Sequence, residues 1–374
     1  MAIFKRLCTC LSPLDSSIHN ILIIFQSCYT DFSLFVRNRG STLTYLLVYV
    51  DNVIITGNDS NFISNYTATL DFVFSLKDLG KLSFFLGIEV LHHHGPLLLS
   101  QSSYIKDILH RSHLQDAKPL RTPADSTATL TRDGPSAPDA TLYRSIVGAL
   151  QYTTITHPDI SYAVNRVCQF MHDPRLYHWS AGKRILCYLK GTMHLGLQFF
   201  PSSYQSLQAY YDAKWAADII DRRSHHGYAI FVGDNLVIRS SRKQTVVARS
   251  STEAEYRAVG FATGEVTWLK NLLFELGVPC SKPHVLLCDN QSALYMCANP
   301  VFHNRSKHIE INYHFVREKV EQGLLIVCYV PTQDQFADIF TKALGSSLFI
   351  HVLDKFNVRT LPLSLMGDIK DKQL

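Results

Sequence analysis

The order of hydrophobic patterns in residues 205–345 constrains the fold more than any other feature of the sequence. Three β-type runs come first, at residues 207–213, 226–232 and 236–239. Gly233-Asp234-Asn235 is typical of a turn between the second and third runs. A long amphipathic stretch over 252–276 then predicts a helix, and the patterns that follow are strand, helix, strand and helix. This order predicts a mixed α/β block with a five-stranded sheet and flanking helices.

The rest of the chain divides into regions of different pattern. Residues 46–50 and 53–56 are β-rich runs around Asp51-Asn52, which predicts a tight hairpin, and 84–90 predicts a further strand. Repeated prolines among Ser, Thr, Asp and Ala mark a linker. We therefore expect an unmatched and poorly ordered segment at 1–30, a strand-and-helix region at 31–118, the linker at 119–142, a helical region at 143–204, the α/β block at 205–345 and a C-terminal tail at 346–374.

Composition excludes several classes of protein. The 374 residues are 47% hydrophobic and 18% charged, which argues against wholesale disorder. A net charge of +5 permits a polyanionic partner without requiring one. The nine cysteines form no repeated spacing, which indicates reduced thiols inside a cell rather than a secreted disulfide framework. No run approaches the roughly 18 apolar residues of a membrane helix, so we expect no membrane partner.

Four acidic residues stand where they can carry chemistry. Asp212 lies near the end of the first strand, Glu255 one turn into the long helix, Asp289 at the end of the fourth strand and Asp338 in the last helix. Such positions converge on one edge of an open α/β sheet. Clustered carboxylates need cations, and hard oxygen ligands suit Mg²⁺ or Mn²⁺. Two such ions can activate water and stabilise the leaving oxygen of a phosphodiester.

Each acid also has a structural interpretation. Thr252-x-x-Glu255 is a capping-box pattern, so Glu255 can simply close the start of the helix. Asp289-Asn290 can cap the next helix, and Asp338 can be a solvated helix acid. Asp212 is hardest to explain in this way, because an acid in an apolar strand needs a partner. The four acids together favour the metal-site hypothesis.

Basic side chains surround the same region. Lys and Arg clusters supply sequence-independent contacts to phosphates, although a charged loop or helix face kept for solubility is the alternative. The candidate nucleic-acid contacts are Arg239, Arg242, Lys243 and Arg249 before the long helix, Arg305, Lys307 and His308 after the Asp289 helix, and Lys183 and Arg184 on the basic face of a helix in the 143–204 region.

Long sequence stretches carry a family resemblance. In the last block they are YDA (211–213), RSSTEAEYRA (249–258), CDNQSA (288–293), KHIE (307–310), HFVRE (314–318), YVPT (329–332) and ADIFTK (337–342). Upstream they are KDLG (77–80), FLGIEV (85–90), YRSIVG (143–148) and KRILCYLKGT (183–192). Over residues 31–345 the chain resembles the C-terminal part of a copia-type retrotransposon polyprotein, in which a reverse transcriptase is followed by a ribonuclease H.

The resemblance implies specific roles for the acids. Asp212, Glu255, Asp289 and Asp338 match the four metal-binding acids of the family's ribonuclease H, which implies two Mg²⁺ or Mn²⁺ ions and hydrolysis of RNA in an RNA–DNA hybrid. Such enzymes recognise hybrid shape and the 2′-hydroxyl. Glu253 is a nearby alternative to Glu255, but Glu255 falls better on the inward helical face beside Tyr256 and Val259.

The polymerase part departs from the family pattern. Tyr49-Val50-Asp51-Asn52 resembles the Tyr-x-Asp-Asp hairpin of reverse transcriptases, with Asn52 in place of the second acid. Asn52 keeps a carbonyl ligand but loses the charge, so Mg²⁺ binding should weaken. The family's fingers and another metal-binding palm acid lie upstream of this hairpin. We therefore expect a partial palm without polymerase activity, in which Asp51 and Asn52 are vestigial.

Several functions stay open from the sequence. The first is a metal-dependent endoribonuclease acting on hybrids, and the second is a non-catalytic remnant that binds nucleic acid. The third is an active RNA-directed DNA polymerase, completed by a partner, and the fourth is a degenerate product without a stable fold. The resemblance implies action in the cytoplasm, the nucleus or both. The sequence leaves the oligomeric state open.

Overall fold

The computed structural model describes residues 2–5, 24–50, 52–74, 77–92, 95–202, 206–278, 280–298 and 310–360. The chain forms two compact units. The first comprises residues 1–85 and 267–280, and the second comprises 86–266 and 281–374.

The first unit contains an antiparallel sheet and one helix that belongs to it entirely. Its elements are β1 (Ala2–Lys5), β2 (Gln26–Ser27), β3 (Leu34–Arg39), β4 (Thr42–Tyr49), β5 (Asn52–Gly57), α1 (Ser60–Phe74), β6 (Lys77–Lys81) and β7 (Phe84–Phe85). The sheet order is β2-β3-β4-β5-β1-β6. Tyr66 and Leu70 of α1 pack with Leu46 and Ile55 of the sheet, so apolar burial holds helix and sheet together.

Two expectations for this unit need correction. The predicted hairpin exists, but Asn52 pairs with Tyr49 and therefore belongs to the second strand rather than to the turn. The segment 1–30 is also not uniformly without order, because β1 pairs with both β5 and β6 and residues 24–30 are described. Residues 6–23 lie outside the described part of the chain.

The second unit begins with strands and helices that surround the linker. They are β8 (Ile88–His92), β9 (Leu97–Ser100), α2 (Ser102–Arg111), α3 (Ala140–Thr153), α4 (Ser161–Cys168), α5 (Leu176–Thr192) and β10 (Leu195–Phe199). The strand predicted over 84–90 is broken, because Leu86 and Gly87 both have positive φ. The helices predicted in 143–204 are present, and β10 follows them.

The linker has no helix or strand before α3, but it is packed. Leu130 is buried, the amide of Leu120 donates to the carbonyl of Cys187, and the ring of His178 lies 2.8 Å from the carbonyl oxygen of Thr131. The linker is therefore held against α5 by hydrogen bonds.

The C-terminal sheet has the mixed five-stranded form that the sequence predicted. Its elements are β11 (Leu207–Lys214), β12 (His225–Val232), β13 (Asn235–Lys243), α6 (Ser251–Glu275), β14 (His284–Cys288), α7 (Gln291–Ala298), α8 (Glu310–Glu321) and β15 (Leu325–Tyr329). The strand order is β13-β12-β11-β14-β15. Strands β11, β12 and β13 pair antiparallel, whereas β14 pairs parallel with both β11 and β15. Strand β11 therefore lies at the centre of the sheet.

The chain after β15 differs from the prediction of a helix beginning near Asp334. Two 3₁₀ turns occupy Thr332–Asp334 and Phe336–Phe340, and the side chain of Gln335 caps the second by accepting from the amide of Ala337. Inside the predicted tail, α9 (Ser346–Lys355) is followed by β16 (Val358–Thr360), which pairs with β10. The last turn before Thr341 is therefore tighter than an α-helix.

Two further observations concern membrane-spanning helices and cysteines. In the described part of the chain, no helix has the length and apolar character needed to cross a membrane. The seven described cysteines are free thiols.

Candidate metal centre

Asp212 occupies the central strand of the C-terminal sheet. It lies on β11 opposite Gly227 of β12 and is almost completely buried. The hydroxyl of Thr341 donates a hydrogen bond to its Oδ2 atom. Because a buried carboxylate must be compensated, this position needs the partners that the rest of the site supplies.

Glu255 is free of the capping role that the sequence left open for it. Helix α6 begins at Ser251, and Ser250 and Glu253 do the capping: the amide of Glu253 donates to Ser250 Oγ, and Glu253 Oε2 accepts from the amide of Arg249. Arg257 also pairs with Glu253 at 3.0 Å. Glu253 is therefore fully engaged at the helix start, whereas Glu255 is buried and accepts a hydrogen bond from the backbone of Ala213, next to Asp212.

Asp289 is likewise released from capping by its neighbour. The Oδ1 atom of Asn290 accepts a hydrogen bond from the amide of Ala293, so Asn290 caps α7. Asp289 follows the last residue of β14 and accepts a hydrogen bond of 3.0 Å from Thr332 Oγ1. The carboxylate is half-buried rather than enclosed.

Three of the four predicted acids form one cluster. Asp212, Glu255 and Asp289 each contribute one carboxylate oxygen, and these oxygens all lie within 4.8 Å of one another. Asp338 is outside this close triad. It is buried in the second 3₁₀ turn, near enough for Asp212 and Asp289 to raise its pKa.

The pKa values express the cost of bringing these groups together. Burial, followed by repulsion from Asp212, raises the pKa of Glu255 to about 10. Burial and Asp212 also raise the pKa of Asp338 to about 7, against the opposing effect of Lys342. The cluster therefore holds extra protons unless cations replace them.

The donor set fits a hard divalent cation. The site offers carboxylate oxygens from separate elements, which are the ligands that Mg²⁺ and Mn²⁺ prefer. Oε2 of Glu255 is buried without a hydrogen-bond partner in the described part of the chain, although buried acceptors are almost always satisfied. An acceptor of this kind beside two further carboxylates is suited to a metal ion.

Lys342 is a site residue that the sequence interpretation missed. Its Nζ atom lies 2.8 Å from Oδ1 of Asp338, four residues earlier. The pKa of Lys342 is raised by Asp212, Asp338 and Asp289, even though burial alone would lower it. The spacing of four residues was the available signal, but it acquires meaning only once Asp338 is placed at the cluster.

The predicted basic contacts fall into different environments. Arg239 is half-buried and donates to the carbonyl of Thr154 at 2.7 Å, and burial lowers its pKa to about 10. Lys243 binds both Asp218 and Asp221 at 2.9 Å. These two side chains therefore have partners within the protein, whereas Arg242 and Arg249 are exposed.

The remaining candidates give a mixed result. Arg184 donates to Thr122 Oγ1 at 3.0 Å and lies 3.7 Å from Asp125, so this partly exposed side chain contacts the linker. Lys183 and Arg184 both line a cavity of about 470 Å³ between the linker and α5. Arg305, Lys307 and His308 lie outside the described residues, as does Asp51 of the polymerase hairpin. Asn52 is the first residue of β5.

Known proteins resemble this chain over most of its length. A family model for reverse transcriptase (RNA-dependent DNA polymerase) matches residues 15–126, which extends into the segment that motifs alone left unmatched. The retrovirus-related Pol polyprotein from transposon RE1 of Arabidopsis thaliana is 47% identical over 345 residues, covering 92% of this chain and 24% of that protein. The chain thus spans about a quarter of the length of this relative.

Two further similarities cover smaller parts of the chain. The putative transposon Ty5-1 protein of Saccharomyces cerevisiae is 32% identical over 230 residues, which is 60% of this chain and 75% of that protein. Among solved structures, an N-terminal RNase H domain from Mycobacterium tuberculosis is 13% identical with a TM-score of 0.28, covering 40% of this chain and 97% of that chain.

Proposed function

Because this chain belongs to the family of copia-type retrotransposon Pol polyproteins, we propose that its C-terminal block is a ribonuclease H that hydrolyses the RNA strand of RNA–DNA hybrids. The observation that carries the proposal is the triad of Asp212, Glu255 and Asp289, whose oxygens lie within 4.8 Å of one another. Asp338 and the triad would hold two divalent ions, Mg²⁺ or Mn²⁺. When bound, such ions supply water activation and stabilisation of the leaving oxygen.

The chain's own residues have distinct tasks in this proposal. Thr341 and Thr332 orient Asp212 and Asp289 through their hydroxyl hydrogen bonds. Glu255 is held on a rigid helix, so its oxygens keep a fixed direction relative to the strand that carries Asp212. A preorganised carboxylate set spends little free energy on rearrangement when it binds cations.

The substrate class follows from the family and from charge. Arg242 and Arg249 are exposed and free to contact phosphates, which are recognised without regard to base sequence. Hybrids are distinguished by shape and by the 2′-hydroxyl. We also propose an intracellular site of action, in keeping with the free thiols of the described cysteines.

Cleavage of a labelled RNA–DNA hybrid tests this function. The protein should cut the RNA strand with Mg²⁺ or Mn²⁺ and stop when EDTA is added, and Asp289→Asn should abolish cutting because it removes one of the clustered charges. Asp334→Asn is the matched control, since Asp334 lies in the neighbouring 3₁₀ turn and outside the triad. Salt-dependent hybrid binding without cleavage in either metal would instead support a non-catalytic nucleic-acid-binding protein.

We propose separately that the polymerase part lacks primer-extension activity. Asn52 stands where the family hairpin has a second acid, and an amide oxygen binds Mg²⁺ more weakly than a carboxylate. The test is extension of a labelled primer on an RNA template by the protein and by Asn52→Asp. Extension by the unchanged protein would contradict this proposal, and extension by Asn52→Asp alone would identify Asn52 as the cause.

A further inference from the structure

The segment from Asp338 to Lys342 brings an acid, a hydroxyl and a cation to the same cluster. Asp338 is 2% exposed, Thr341 donates to Asp212, and the Lys342 side chain is about one-third exposed with its Nζ atom 2.8 Å from Asp338 Oδ1. Lys342 therefore reaches the acids from the solvent side. A long, flexible stem of this kind can move its charge without disturbing the backbone.

Lys342 supplies the positive charge that faces the acids of the site. Across the described ranges, it is the only cation that forms an ion pair with the triad or with Asp338. Asp212 and Asp289 also act on it electrostatically, in addition to Asp338. Arg257, two residues after Glu255 on α6, is paired with Glu253. One ammonium group thus compensates a set of carboxylates that repel one another.

We propose that Lys342 is an internal counter-ion: it holds the acidic cluster together while no divalent ion is bound, and it gives way when one binds. The inference rests on the proposed function only in that the cluster binds a divalent ion. It adds a competitor for the metal, supplied by the chain itself, that sets how much metal the site requires.

The charge balance predicts opposite effects on metal affinity and on metal-free stability. Removing the ammonium leaves the carboxylates uncompensated, so the metal-free fold becomes less stable. The same change removes a positive charge that repels the incoming ion, so the ion binds more tightly. A lysine that merely anchors the 3₁₀ turn would lower stability equally with and without metal.

Calorimetric titration with Mg²⁺ and thermal unfolding in EDTA or saturating Mg²⁺ test the proposal on the full chain without nucleic acid. Lys342→Met, of similar length but uncharged, should bind Mg²⁺ about tenfold more tightly than the unchanged protein. Its melting temperature should fall in EDTA and return towards the unchanged value in Mg²⁺. Lys342→Arg keeps the positive charge, so its melting temperature in EDTA should equal that of the unchanged protein. Lys319→Met removes a lysine paired with Glu318 on α8 and should change neither the Mg²⁺ affinity nor the melting temperature.

The outcomes separate this inference from the proposed function. Three results would each overturn the counter-ion proposal. They are unchanged or weaker Mg²⁺ binding by Lys342→Met, an equal loss of its stability with and without metal, and absence of Mg²⁺ binding by the unchanged protein. Failure to cleave hybrid overturns the nuclease alone, because these titrations contain no substrate.

Discussion

The hydroxyl of Thr341 donates a hydrogen bond to Oδ2 of Asp212, joining residues 129 positions apart in the chain. Asp212 belongs to the central strand, and Thr341 directly follows the 3₁₀ turn that carries Asp338. Gln335, at the start of that turn, donates to the carbonyl of Tyr211 at 3.0 Å. The turn is therefore fastened to β11 at both of its ends, and this fastening places Asp338 beside the triad.

Thr341→Val tests that fastening. The substitution keeps the shape of the side chain but removes the donor to a buried carboxylate, so we expect a loss of about 1.5–3 kcal/mol in unfolding free energy. Hybrid cleavage should also slow, because Asp212 loses an orienting partner. Urea denaturation and the cleavage rate are the measurements. Thr341→Ser retains the hydroxyl and should stay close to the unchanged protein; if it behaves like the valine variant, the hydrogen bond is not the cause.

Gly227→Ala tests the close approach of the same turn to the sheet. A Cβ atom at position 227 would lie 2.4 Å from Cβ of Phe340, closer than any real contact. We expect destabilisation of about 1–3 kcal/mol and reduced cleavage, because the turn must shift away from β12. Gly264→Ala is the control: its Cβ meets open space within α6, so it should stabilise by about 0.5–1 kcal/mol. Thermal unfolding of both variants measures the difference.

The raised pKa values predict how stability depends on pH in the absence of metal. The folded-state pKa values of Glu255, about 10, and Asp338, about 7, exceed the ordinary values of 4.5 and 3.8. The folded protein therefore binds more protons than the unfolded chain, and the free energy of unfolding falls as pH rises. The stabilisation linked to Asp338 is lost as pH passes about 7, and that linked to Glu255 continues to be lost towards about 10.

Glu255→Gln isolates the contribution of Glu255 to the pH dependence of stability. Between about pH 7 and pH 9 its unfolding free energy in EDTA should fall less steeply than that of the unchanged protein, by up to about 1.4 kcal/mol per pH unit. Urea denaturation at several pH values measures the slope. Glu253→Gln, which alters a neighbouring acid outside the triad, should keep the original slope. Identical slopes for all three proteins would contradict a protonated Glu255.

The exposed arginines predict the salt dependence of hybrid binding. In an Asp289→Asn background that does not cut, Arg242→Ala and Arg249→Ala should each weaken binding and lower the slope of log affinity against log salt by about one. Arg359→Ala, which removes an exposed arginine of β16 that pairs with Asp354 of α9, is the control and should leave the slope unchanged. Fluorescence anisotropy with labelled hybrid at several salt concentrations gives the slopes. Equal slopes for all variants would exclude this face as the phosphate contact.

Local sequence patterns predicted much of the C-terminal fold. The β-type runs, the length of α6 and the turn after β12 were read correctly, because side-chain periodicity and turn chemistry are properties of neighbouring residues. The same patterns placed Asp212, Glu255 and Asp289 at the ends of elements. The helix predicted over Asp338 was wrong, since Gln335 and contacts to β11 and β12 hold two 3₁₀ turns there.

Tertiary structure alone decided which charged groups are free. Sequence could not separate Glu255 from its capping alternative; Ser250 and Glu253 take that role in the folded protein. The partners of the predicted contacts Arg239 and Lys243 also become visible only in the folded protein: Arg239 binds Thr154, and Lys243 binds Asp218 and Asp221. Lys342 was overlooked because its importance depends on acids far away in the chain. A residue's type and periodicity are local, whereas the partner that satisfies its charge is chosen by packing, and packing joins positions that no sequence window contains.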